Sequence, residues 1–173
     1  AKELVERIGD GRIRLLTQEN RGKGATRNRG LNETDGEFVT TLDSDDMIAP
    51  DYLNSAVRMM RENPRVGWVT PKTLVFGKDN HIAWGEEFNF LETIRACPSP
   101  SSSIVRRSAL EEVGLFREDL TDREDAEFWL RFIEKGWTSV TTKSPLFLYR
   151  HACRRPGITN IFNMSSKEEI TSL

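Results

Sequence analysis

The run Glu37-Phe38-Val39-Thr40-Thr41-Leu42-Asp43-Ser44-Asp45-Asp46 changes character halfway along. Its first part is β-branched and aromatic with a single charge, which predicts a strand buried on both faces. Its last four residues carry three carboxylates, Asp43, Asp45 and Asp46. In open α/β sheets, ligands bind beyond the carboxyl ends of the strands, so the carboxylates are well placed for one. Like charges this close repel, and a bound cation relieves them. Oxygen donors favour Mg²⁺ or Mn²⁺, ions that commonly hold a substrate's phosphates as well. A solvated turn before an acidic helix start uses the same residue types, and that reading stays open. An EF-hand loop is excluded, because Met47 and Ile48 stand where a ligand and a glycine are required.

Reading outward, Ala1, Leu4, Val5 and Ile8 make one face of a short helix that stops at Gly9-Asp10-Gly11. Residues 12–16 read as a strand, and a glycine-containing loop at 20–24 opens a helix to about residue 33. Downstream, Pro50 sets a first helical turn, with Tyr52, Leu53, Ala56, Val57 and Met60 as its buried stripe. Strands are predicted at 66–76, 103–105, 137–142 and 146–149, a helical piece at 108–113 and a longer helix at 122–135. Strands alternating with helices predict an α/β fold with a mostly parallel, doubly wound sheet flanked by helices.

The 173 residues suit one such domain. Net charge is −2 with acidic and basic residues intermixed, unlike the basic footprint of a nucleic-acid binder. Cys97 and Cys153 have no metal spacing and predict a reducing, cytoplasmic setting. No apolar run reaches the length of a membrane span, which leaves peripheral association with the cytoplasmic face open.

A second acidic pair is Glu124-Asp125. Thr121 and Glu124 have capping-box spacing. Asp125 precedes Phe128, Trp129, Phe132 and Ile133 at helical intervals, so it lies on the apolar face of its own helix. An inward carboxylate in the first turn is a candidate general base; a plain helix-capping Asp fits the same spacing. In the loop Arg21-Gly22-Lys23-Gly24, backbone amides with Lys23 and Arg27 could meet a phosphate, although a simple turn explains the glycines equally. His151 is a candidate metal ligand or a structural histidine. Trp84 is placed to stack on a sugar, Trp68 and Trp137 in the core, and Arg150, Arg154 and Arg155 in a basic cluster readable as a solvated loop.

Four segments in order resemble the family 2 glycosyltransferases of the GT-A fold: residues 20–31, 36–53, 106–116 and 123–131. The resemblance implies that Asp45 ligates a metal bridging the donor diphosphate, helped by Asp43 and His151. It implies nucleotide-sugar contacts from Arg27, Lys23, Asp43 and Asp46, and catalysis at Glu124-Asp125, with Asp125 deprotonating an acceptor hydroxyl for an inverting displacement. The cofactor would be Mn²⁺ or Mg²⁺, the donor most readily a UDP-sugar, and the acceptor a glycan or lipid-linked molecule. The family's first strand, first helix and nucleobase-binding strand have no counterpart here. Residues 1–155 are therefore expected to form an N-terminally incomplete catalytic domain, with 156–173 as a C-terminal extension. By the same resemblance, residues 12–16 should stand apart from residues 38–42 across a gap. The motif and membrane helices of processive synthases are not seen, so non-processive transfer is expected. A haloacid-dehalogenase-type phosphatase also places DxD after an apolar strand, but Met47 occupies its Thr or Val position. A non-catalytic, truncated sugar-binding module is the other alternative.

Overall fold

The computed structural model describes residues 1–78, 80–83, 89–91, 95, 97 and 99–151. Trp84, Cys153, Arg154, Arg155 and the expected extension at 156–173 lie outside the described residues. The helices are α1 (Lys2–Ile8), α2 (Gly22–Asn32), α3 (Tyr52–Glu62), α4 (Arg107–Val113) and α5 (Glu124–Glu134). The strands are β1 (Phe38–Val39), β2 (Met47–Ile48), β3 (Val66–Gly77), β4 (His81–Ala83), β5 (Ile104–Arg106) and β6 (Thr138–His151).

The strands form one mixed sheet in the order β1-β5-β3-β6-β2, with β4 on β3. Among the described residues only β3 and β6 pair in parallel, from Val66 opposite Thr138 to Gly77 opposite His151. The other pairings are antiparallel, so the parallel share is smaller than the strand–helix alternation suggests. The reason is local. β5 returns antiparallel against β3, and β2 folds back along β6 directly after the acidic turn. Even so, β1, β3 and β6 share one direction, so the acidic residues after β1 lie at the carboxyl end of the sheet.

Helices cover both faces. On one, Tyr52, Ala56 and Met60 of α3 pack on Val66, Val69 and Ile104. On the other, Trp68 and Val105 meet Leu31, Leu110, Phe116, Phe128, Trp129 and Phe132. Trp68 and Trp129 stack with ring centroids 5.3 Å apart, and Phe116 and Phe128 with centroids 4.0 Å apart. Two buried polar devices lock this layer. Ser99 accepts Trp68 Nε1–H at Oγ (3.1 Å) and Trp129 Nε1–H at its carbonyl (2.8 Å). Asn28 donates to the Phe116 carbonyl (2.8 Å) and accepts the Phe116 amide (2.9 Å), tying α2 to the loop before α5. Arg106 donates to the Met60 carbonyl and Arg107 to the Leu31 carbonyl, which satisfies acceptors at the ends of α3 and α2.

Three expectations are corrected. Residues 12–16 form no strand; Ile13, Leu15 and Leu16 are exposed, because a lone segment without a neighbour gains no ladder bonds. Phe38–Val39 is half-buried rather than covered on both faces, and Leu42 is 47% exposed, since only β5 flanks β1 among the described residues. The two closing strands are one, β6, continuing through Pro145 at a register irregularity where Thr142 Oγ1 accepts the Lys72 amide. The expected separation of residues 12–16 from 38–42 is present. A trough of about 950 Å³, lined by Arg12, Arg14, Gly30, Phe38, Thr40 and Asp43 among others, lies between them, and Arg14 bonds to Glu33 at the end of α2.

The glycines of α2 have separable roles. A Cβ at Gly24 would lie 2.9 Å from the Arg117 carbonyl oxygen, whereas one at Gly30 would meet nothing within 4 Å. Gly24→Ala should therefore destabilise by about 1–3 kcal/mol through overpacking. Gly30→Ala should stabilise by about 0.5–1 kcal/mol through the lower entropy of the unfolded chain. Urea unfolding of the two variants checks this, and equal effects would contradict it.

Candidate active site

The acidic turn is held by both of its neighbours in space. Asp46 Oδ1 accepts the Arg150 amide (2.8 Å), and Arg150 Nε donates to the Asp45 carbonyl (2.8 Å). The Arg150 guanidinium lies 4.6 Å from the Phe76 ring centroid. β2 then pairs with Phe147 and Leu148 of β6, fixing the exit of the turn. Arg150, grouped in sequence with a solvated basic cluster, is thus the latch that seats the acidic turn on β6. Its cue was its place on the final strand, opposite an acidic residue that sequence spacing alone does not reveal.

The sharing of one guanidinium joins this turn to α5. Arg27, on α2, donates from Nη1 to Glu124 Oε1 (2.8 Å) and from Nη2 to Asp43 Oδ1 (3.3 Å). Its side chain is 8% exposed and that of Glu124 is 2% exposed, while Asp43 is open to solvent. Lys23 Nζ reaches the same Glu124 oxygen at 3.1 Å. Arg27 therefore contacts two carboxylates; any role toward a nucleotide would have to compete with them. Removing one side of such a buried pair typically costs about 3–5 kcal/mol.

The helix carrying the second acidic pair starts differently from the capping-box expectation. Its N-cap is Arg123, at φ 55° and ψ 24°, and no side chain caps it. Thr121 is not the cap; the left-handed turn at Arg123 delays the helix and swings Glu124 inward to Arg27. A non-glycine residue in that region stores strain of about 1–3 kcal/mol, which persists where surrounding contacts enforce it. Asp125 is half-buried, and its Oδ1 accepts the Ala126 amide (2.8 Å). Burial first, and then the Glu124 charge, raise its pKa above the usual carboxylate range. For Glu124, burial alone would raise the pKa, but its own backbone amide, Lys23 and Arg27 outweigh that and lower it. The two adjacent carboxylates are thus pushed in opposite directions.

The donor set of the turn suits a hard divalent cation. Burial, then the Asp45 and Asp43 charges, push the Asp46 carboxyl up to about 6 despite the Arg150 amide, so charge is crowded there. Among the described residues no group of three or more His, Cys, Asp or Glu side chains converges as a metal cage, and His151 is not drawn into one. Carboxylate oxygens at a strand end suit an ion that takes one or two of them together with phosphates and water. His151 ends β6, its carbonyl accepting the Lys78 amide. No helix among the described residues is long and apolar enough to cross a membrane.

The Asp46 shift has a stability consequence. A carboxyl whose folded pKa is raised stabilises below its unfolded pKa near 3.9, and loses that contribution as pH climbs toward about 6. In cation-free buffer, Asp46→Asn should therefore gain stability relative to the parent between pH 4 and pH 7. Thermal unfolding at both pH values measures the difference, and a gap independent of pH would refute it.

Comparisons with known proteins bear on the family and the fold. A family model described as Glycosyl transferase family 2 matches residues 1–114. A Rickettsia felis protein named as an uncharacterized glycosyltransferase is 27% identical over 132 residues, covering 73% of this chain and 22% of the relative. A Methanocaldococcus jannaschii protein of the same description is 24% identical over 182 residues, covering 99% of this chain and 61% of the relative. The chain thus spans less than two thirds of the length of these relatives. The crystal structure of S. aureus TarS 1-349 in complex with UDP-GlcNAc matches with a TM-score of 0.70 at 19% identity, covering 89% of this chain and 47% of that one. The mannosyltransferase PcManGT from Pyrobaculum calidifontis, in complex with GDP-Man and Mn²⁺, matches with a TM-score of 0.64 at 22% identity, covering 92% and 45%. With the family model matching residues 1–114 and the fold matching those solved structures, the chain belongs to glycosyl transferase family 2 and has the GT-A fold.

Proposed function

We propose that this chain carries the catalytic region, over residues 1–155, of a metal-dependent, inverting, non-processive glycosyltransferase acting on a nucleotide sugar, with a UDP-sugar as the first donor to test. The observation that carries the reading is the Arg27 bridge, which ties Asp43 of the acidic turn to Glu124 at the start of α5. The nucleotide sugars named in the TarS and PcManGT complexes support the donor class. Lys23, Arg27, Asp43 and Asp46 would line the donor side. Asp45 and Asp43, with His151, would hold Mn²⁺ or Mg²⁺, which when bound offsets negative charge developing on the departing diphosphate.

The chain's own residues supply the rest. Asp125 accepts the proton of a glycan or lipid-linked acceptor hydroxyl as its oxygen attacks the anomeric carbon from the face opposite the diphosphate. A raised pKa makes this carboxylate a stronger base than an exposed one, which is what an alcohol nucleophile needs. Attack and departure on opposite faces invert the anomeric centre. The phosphatase alternative loses its support, since both the family match and the fold belong to glycosyltransferases. A cytoplasmic site of action goes with the reading.

Asp45→Ala should abolish Mn²⁺-dependent donor binding in calorimetry while leaving the circular dichroism spectrum intact. Asp125→Asn should keep donor binding and lose transfer by roughly 10²–10⁴, the usual worth of a general base. Donor binding without hydrolysis or transfer in the parent protein would favour the non-catalytic module instead.

A further inference from the structure

Glu124 is more deeply enclosed than the carboxylate beside it. Both of its cations, Arg27 Nη1 at 2.8 Å and Lys23 Nζ at 3.1 Å, sit on Oε1. Its Oε2 is buried and has no hydrogen-bond partner among the described residues. Asp125, next in the chain, accepts the Ala126 amide of its own helix. The left-handed Arg123 presents both groups at the start of α5, where the helix dipole favours negative charge. A site that pays for strain at its entry to bury one anion, and then sets a second carboxylate beside it, is built asymmetrically.

We infer that Glu124 is a positioning residue rather than a second base: a buried anion, fixed by Arg27 and Lys23, whose charge keeps the neighbouring Asp125 carboxylate ready to take a proton. This rests on the assignment of Asp125 as the base. The argument is one of competition. Two adjacent carboxylates in a half-buried site cannot both be ionised without cost, and the one holding the cations wins. Glu124 holds them, so the cost falls on Asp125. Its directions of shift agree, Glu124 down and Asp125 up. The charged groups acting on Asp125 are Glu124, which raises its basicity, and Arg27 and Lys23, which lower it. Across from it, the Cys97 thiol is pushed up by burial and then by Asp125, so it stays neutral; Arg123 acts on that thiol in the opposite sense. An Oε1 occupied by two cations also leaves Glu124 poorly suited to accept a proton itself.

The test is the pH profile of kcat/KM for transfer, with donor affinity measured in parallel by calorimetry. Glu124→Gln keeps the shape and an acceptor for Arg27 but removes the charge. The acid limb should move to lower pH and the plateau rate should fall roughly threefold to tenfold, as expected for a weaker base. Glu124→Asp, which restores the charge, should return the limb toward the parent position. Lys23→Gln, at a half-exposed position, should move the limb the other way, to higher pH. Should Glu124→Gln fail to fold, the Lys23→Gln shift alone decides. An acid limb unmoved in the folded variants overturns the inference and leaves Glu124 a structural ion-pair partner. If instead Asp125→Asn keeps full transfer, the base assignment itself fails, a result separable from the first because it appears without any change at Glu124.

Discussion

Arg27 supplies the constraint on which the site depends. Its guanidinium is enclosed between α2, the acidic turn and the start of α5, and it lies 5.6 Å from the Phe116 ring centroid. A buried guanidinium tolerates little freedom, because each unmet donor would carry a desolvation penalty. Its two carboxylate partners are therefore fixed relative to each other, though they come from segments 81 positions apart in the chain. Asn28, the next residue, clamps the same helix to Phe116 on both its donor and its acceptor side. Gly24 lets that helix approach the Arg117 backbone closely. The glycine-containing loop thus serves helix packing, which in turn places the arginine.

The parts of the fold that sequence made legible are those whose pattern is local. Tyr52, Ala56 and Met60 of the α3 stripe, fully buried, and the aromatic face of α5 follow from helical spacing, whereas Leu53 of the expected stripe is exposed and Val57 only half-buried. β3 follows from its β-branched and aromatic residues on either side of Thr70-Pro71-Lys72-Thr73. What stayed hidden depends on partners distant in sequence. β2 is two residues long and exists because Met47 and Ile48 meet Leu148 and Phe147. Residues 12–16 have strand composition and no neighbour to pair with. The Thr121 spacing was a sound cue, but backbone torsion at Arg123 cannot be read from residue types. Within the site, both acidic motifs were visible as clusters, and the inward turn of Asp125's helix face was visible as spacing. The partner of Glu124 was not, because an ion pair across 97 positions leaves no trace in either segment.

The likeness to solved glycosyltransferases at 19–22% identity shows how little of the residue detail the architecture needs. The fold persists while most side chains change. The contacts that cross between elements here are largely charged or amide groups meeting backbone carbonyls. Arg106, Arg107, Arg131 and Asn28 all do this. Such contacts depend on backbone position more than on the identity of the opposing residue, which makes them durable under sequence drift.

The pairing of Trp68 with Trp129 has an optical consequence. Their rings are nearly parallel, at 19°, and both indole N–H groups donate to Ser99. Ser99 is two residues from Cys97, whose thiol shares its surroundings with Asp125. Stacked indoles couple their electronic transitions, and the coupling depends steeply on ring separation and tilt. The pair is accordingly an intrinsic chromophore wired to the segment beside the cleft. Displacement of that segment would register in near-ultraviolet dichroism and in tryptophan emission without an added label.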